Sequence, residues 1–209
     1  MDVVYHIFHG LCHQMPERAL SAGGFSMPLC ARCAGLYIGL LVALPYLLYR
    51  ALTEPLAVTK PVIAAAAAAA VLFAADGVAN AVGLWDTPKA LRFGTGIALG
   101  AALSPLVSVL FATTAGIARA RPAGAPLFAA LAVASAALTA ANLAGSPSLL
   151  IVESYAAAAG ALLFLGVIHT ALLVLVLTPR RMLVAAVVAV FTVSGQLALL
   201  SGVRTLFGF

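Results

Sequence analysis

LYIGLLVALPYLLY, residues 36–49, contains no charged side chain and a single proline, Pro45. With Ala34 and Gly35 ahead of it, the run approaches the roughly 20 apolar residues that carry a helix across a bilayer. Five similar runs follow, at about 61–85, 90–115, 126–144, 149–177 and 182–202. Breakers separate them: Thr53-Glu54-Pro55, Asp86-Thr87-Pro88, Arg121-Pro122-Ala123-Gly124, Gly145-Ser146-Pro147 and Thr178-Pro179-Arg180-Arg181. The second and fourth runs are rich in alanine, a weak membrane residue. The expected fold is therefore all-α: a polytopic transmembrane bundle of about six spanning helices (residues 34–209) behind a short N-terminal segment (residues 1–33). No internal repeat and no long linker divides the chain.

Composition agrees. Of 209 residues, 64% are hydrophobic and 8% charged, with a mean hydropathy of +1.15. A soluble domain carries roughly 25% charged residues, so the expected partner of this surface is the lipid bilayer. The net charge of +5 does not indicate nucleic acid, because the basic residues are few and sit at the ends of apolar runs. Residues 1–30 lack the uninterrupted apolar core of a cleavable signal peptide, so targeting is expected from the first spanning helix.

Loop charge sets the expected orientation. Connections one, three and five carry Arg50, Lys60, Arg119, Arg121, Arg180 and Arg181; the opposite side carries Arg18, Arg32, Lys89, Arg92 and Arg204. The positive-inside rule then makes the odd connections cytoplasmic and both termini non-cytoplasmic, in a multipass protein of the cell membrane.

The segment before the first span, YHIFHGLCHQMPERALSAGGFSMPLCARCAGLYIG (Tyr5–Gly39), holds all three cysteines and three of the four histidines. His9-x2-Cys12 and Cys30-x2-Cys33 form two pairs whose short spacing lets both members of a pair reach one tetrahedral ion, and Cys3His is a common zinc set. His13, next to Cys12, competes with His9 for the fourth place. C-x-x-C is also a thiol-disulfide motif, and the expected side is oxidising. A third reading has the cysteines merely ordering the segment. Pairing of Cys30 with Cys33 would leave Cys12 odd, which favours metal. A nucleobase deaminase needs an H-x-E motif that is missing here. His6, His9 and His13 recur at helical spacing, so a helix ending at Pro16 is expected to set them on one face with Cys12.

The strings Cys12-His13-Gln14-x-Pro16-x-Arg18 and Pro28-x-Cys30-Ala31-Arg32-Cys33-x-Gly35-x-Tyr37-x-Gly39 resemble the signature of a prokaryotic family of predicted multipass membrane proteins. Asp76-Gly77, Gly83 and Arg92-x2-Thr95-Gly96-x3-Gly100 are similar to a second block of that family. Ala19-Leu20 departs from it, where the family tends to have a serine and an aromatic. The resemblance covers about the first hundred residues and carries no activity. It implies His13 over His9 as the fourth ligand.

Ionisable residues within a span are costly. Asp76 lies roughly 13 Å along the second helix from its outer turn, with Asn80 one turn further out on the same face. Arg92 enters the third helix across the short Asp86-Thr87-Pro88 connection, so Asp76 and Arg92 are expected to pair. Arg92, Gly96, Gly100 and Ser104 recur every four residues, a small-residue stripe suited to close helix packing. The N-terminal cluster, Asp76, Asn80, Arg92 and Glu153 all fall in one half of a six-helix bundle. His169 is the exception, expected to hydrogen-bond across helices.

Three functions follow as expectations. One is a zinc-like ion at the outer interface, with Arg18 and Arg32 binding an anionic or lipid-like substrate and Asp76 with Arg92 assisting. Another is a transporter or ion-conducting protein lined by Asp76, Asn80 and Arg92. The last is a thiol-disulfide redox protein using Cys30 and Cys33. The sequence does not separate enzyme from carrier. A lipid phosphotransferase would need further aspartates.

Overall fold

The computed structural model describes residues 2–12, 14–53, 58–116, 137, 140, 146–177 and 182–207. A short helix, α1 (Asp2–His9), leads through a 3-10 turn (Pro16–Arg18) into a two-stranded hairpin, β1 (Ala19–Ala22) and β2 (Phe25–Cys30). Five long helices follow: α2 (Ala31–Thr53), α3 (Lys60–Ala81), α4 (Lys89–Thr114), α5 (Pro147–Leu177) and α6 (Met182–Phe207). All five are long and apolar enough to cross a membrane. They match five of the six expected spans to within a few residues. The fourth, at 126–144, lies outside the described residues.

The α1 helix is shorter than its histidine spacing suggests. It stops at His9, Gly10 begins a turn, and Leu11 and Cys12 close that turn with N–H bonds to the Phe8 carbonyl, each 2.9 Å. Cys12 is therefore not on a helical face with the histidines, and Pro16 opens the next turn instead of ending this one. His13 lies outside the described residues.

The hairpin was not expected from the sequence, although its signal is present. Gly23 and Gly24 both adopt positive φ (54° and 79°), the backbone of a two-residue hairpin turn. The strands pair antiparallel, Ala22 with Phe25, Ser21 with Ser26 and Ala19 with Cys30, with an irregularity between Ala19 and Ser21. The strands bring Cys30 beside the residue after Arg18.

Among the described elements, the most extensive contact is that of α2 with α4. The two helices run parallel at very close approach. A Cβ on Gly96 would strike the Arg32 carbonyl, one on Gly100 the Leu36 carbonyl, one on Gly35 the Phe93 carbonyl, and one on Gly39, 2.5 Å away, the Ile97 carbonyl. The small-residue stripe read from the sequence is thus one side of a double glycine seam. Ser104 and Ser108 continue it, buried and bonded to carbonyls one turn back at 2.8 Å each.

α5 joins on the other side of α2, with Gly160 against the Tyr37 carbonyl. Its first residue, Pro147, packs on Gly23 of the hairpin, so α2 and α5 both begin at the hairpin. The N-terminal segment shares one core with them: Val4, Phe8, Cys12, Leu20, Met27 and Leu29 pack with Ala34, Ile38, Phe93, Ile97, Leu150 and Ala157. Outward faces of α3 and α6 expose Val71, Leu72, Val190 and Phe191, an apolar surface for lipid.

Candidate metal centre

Cys12, Cys30 and Cys33 meet where the turn after α1, the end of β2 and the first turn of α2 converge, their Sγ atoms all within 4.8 Å of one another. Four thiolates at ~2.3 Å around a tetrahedral zinc are about 3.8 Å apart, so the three sulfurs are close to the edge length that one ion requires. Cys12 is buried and the other two are half-buried, and none is in a disulfide. Cys33 lies in the first turn of α2, where unsatisfied backbone N–H groups favour negative charge. The Cys30 N–H points at Cys12 Sγ at 3.5 Å. Hydrogen bonds from the Cys30 and then the Cys33 thiols hold Cys12 well below the ordinary thiol value, against the opposing effect of burial. Donating that bond pushes Cys30 up. Together these residues could hold a metal ion.

His9 does not join them. Its Nδ1 meets Ser201 Oγ of α6 at 3.2 Å. His13, the other candidate for a fourth ligand, lies outside the described residues.

The charged residues pair differently from the sequence expectation. Asp76, buried in α3, takes Arg32 on Oδ2 and the Thr87 hydroxyl on Oδ1. Arg92 instead reaches Asp86, at 2.6 Å. Arg32 projects from between Cys30 and Cys33, and the glycine seam brings its helix against α4 close enough for the guanidinium to reach α3 ahead of Arg92. The Arg32 guanidinium also lies over the Phe73 ring, 5.5 Å from its centre. Asn80 donates to the Trp85 carbonyl (3.1 Å) and to Asp86 (3.4 Å), fixing the connection between α3 and α4. Arg32 with Asp76 and Arg92 with Asp86 therefore form two ion pairs. Arg18 is half-buried, and its guanidinium has no hydrogen-bond or ion-pair partner among the described residues.

Glu153 is buried near the start of α5, one turn from Leu150 and Ala157 of the shared core. His169 lies away from this face. Its Nδ1 meets the Leu165 carbonyl of its own helix at 2.8 Å, not a neighbouring helix. Sequence reasoning missed Arg204, which donates from Nη1 to the His9 carbonyl at 2.8 Å and also to the Cys12 carbonyl. The available signal was a lone arginine close to the end of an otherwise apolar helix.

Residues 12–106 match the family described as "Predicted membrane protein (DUF2085)". An uncharacterised protein of Methanothermobacter thermautotrophicus is 35% identical over 103 residues, 49% of this chain and 89% of that protein. Another, from Methanocaldococcus jannaschii, is 33% identical over 97 residues, 46% of this chain and 61% of its own length. No solved structure matches the chain. The matched region begins at Cys12 and ends within α4, enclosing all three cysteines, the hairpin, Asp76 and the glycine seam. On this evidence the chain belongs to the DUF2085 family of predicted membrane proteins.

Proposed function

We propose that this protein binds a zinc-like ion through Cys12, Cys30 and Cys33 at the non-cytoplasmic membrane interface, where it engages an anionic or lipid-like substrate. The observation that carries the reading is the meeting of three Sγ atoms within 4.8 Å. They come from two stretches of chain seventeen residues apart, folded back by the hairpin. Three thiolates leave one tetrahedral position. His13 would be the ligand to fill it in a structural site, and a substrate oxygen would take it in a catalytic one. A bound ion would supply Lewis acidity and a fixed positive charge.

The chain's own residues would do the rest. Arg18 is the group left for an anion, since Arg32 and Arg92 are held by Asp76 and Asp86. Asp76, through Arg32, would steady the Cys30-x-x-Cys33 turn as an outer partner of the ligands. A plain exchange pair of Cys30 and Cys33 gives no role to Cys12, which is why we prefer metal to redox chemistry.

Cobalt(II) titration of the detergent-purified, metal-stripped protein tests this. The expected result is the absorption of a tetrahedral thiolate site, saturating at about one ion per chain and lost in Cys12→Ser and in Cys30→Ser. A featureless titration of the wild-type protein, or unchanged spectra in both variants, would overturn the reading.

A further inference from the structure

We propose that Arg204 is a positioning residue for Cys12, so that the last helix of the chain sets the geometry of a thiol cluster built by the first thirty-three residues. The inference deepens the metal-site reading and rests on it for its functional meaning.

A helix leaves its last carbonyls without intrahelical partners, and these carry the negative end of its dipole. Beyond His9 the chain makes a turn that the Leu11 and Cys12 N–H groups close on the Phe8 carbonyl, which leaves the His9 carbonyl without a local partner among the described residues. Arg204 supplies the cap from 195 positions away: one nitrogen, Nη1, donates both to the His9 carbonyl at 2.8 Å and to the Cys12 carbonyl. A single planar group thus ties the end of α1 to the residue that carries the sulfur. Two further contacts hold the same seam. His9 Nδ1 meets Ser201 Oγ, and a Cβ on Gly10 would lie 3.0 Å from that of Leu200. Cys12 has its sulfur on the cluster, its N–H on Phe8 and its carbonyl on Arg204. Of these, only the Arg204 bond comes from outside the N-terminal segment and the start of α2.

The family match stops at residue 106, and the Methanothermobacter relative is covered almost entirely by about half of this chain. Arg204 lies outside the residues that the family match covers.

The test compares wild type, Arg204→Ala and Arg204→Lys in two measurements. In metal-free protein, amide hydrogen exchange at Leu11 and Cys12 should rise at least about tenfold in Arg204→Ala while the hairpin amides of residues 19–30 keep their wild-type rates. Cobalt affinity should fall by about 10–100-fold, the usual effect of losing an outer partner of a ligand. Arg204→Lys should recover part of both, since an ammonium keeps the charge without the planar bridge. Wild-type exchange at Leu11 and Cys12 in Arg204→Ala would overturn the proposal. So would wild-type cobalt affinity, or an equal rise in exchange through the hairpin. If wild-type protein binds no cobalt, the metal reading fails, while the exchange comparison still decides whether Arg204 positions Cys12.

Discussion

Asp76 has both carboxylate oxygens occupied, one by Arg32 and one by Thr87, in a largely buried position on α3. Removing one partner of a buried ion pair strands the other charge, at a cost of roughly 3–5 kcal/mol. Losing a neutral hydroxyl costs closer to ~1 kcal/mol. Asp76→Asn should therefore lower the thermal midpoint in detergent by several times as much as Thr87→Val, and Arg32→Met with Asp76→Leu together should recover most of the loss. Equal effects of Asp76→Asn and Thr87→Val would mean that the pair contributes nothing. The sequence made Asp76 conspicuous, because a carboxylate in an alanine-rich span needs a partner. It did not identify the partner. Chain proximity favoured Arg92, but Asp86 in the connecting turn lies nearer to Arg92, and Arg32 arrives from a helix whose approach only packing defines. The fate of His9 was hidden for the same reason, since Ser201 is 192 residues away.

The seam between α2 and α4 belongs to the scale of elements. Lipid tails are as apolar as leucine, so helices associate in a bilayer through close packing and polar contacts, and glycine is what allows backbones to touch. Gly35, Gly39, Gly96 and Gly100 interlock so tightly that an added methyl group has no room. Gly96→Ala should cost about 1–3 kcal/mol by overpacking and should displace Arg32, whose carbonyl it would strike. Gly195→Ala, on an open face of α6, should be neutral or raise stability by up to ~1 kcal/mol through higher helix propensity. A pair of thermal melts decides this, and a harmless Gly96→Ala would contradict the seam. The four-residue stripe on α4 was legible from periodicity alone; its mate on α2, Gly35 and Gly39, stands inside the cysteine motif, and only packing gives it a role. The hairpin was legible in principle through Gly23-Gly24, yet its strands are short and lack the alternation that marks a sheet edge.

At the scale of the whole molecule, the N-terminal segment and the last described helix meet. The α1 helix docks on the C-terminal end of α6 through His9, Ser201 and Arg204, so the two ends of the described chain share a face with the cysteines. The boundaries of five spans were readable because length and hydropathy decide a membrane helix almost without tertiary help. Which end faces out depends on loop charge, which favours both termini outside by six basic residues against five. A reporter enzyme that folds only outside the cytoplasm should be active when fused after Phe209 and silent when fused after Thr53; the reverse pattern would invert the topology without moving the cluster. The meeting of the three thiols was foreshadowed by paired spacing, but only the hairpin brings Cys12 to the other two. The most direct measurement is elemental analysis of detergent-purified protein with reactive thiols counted on the same sample. We predict about one zinc-like ion per chain, with thiols that react fully only after the metal is stripped. Protein free of metal, with two thiols oxidised or all three freely reactive, would contradict the account.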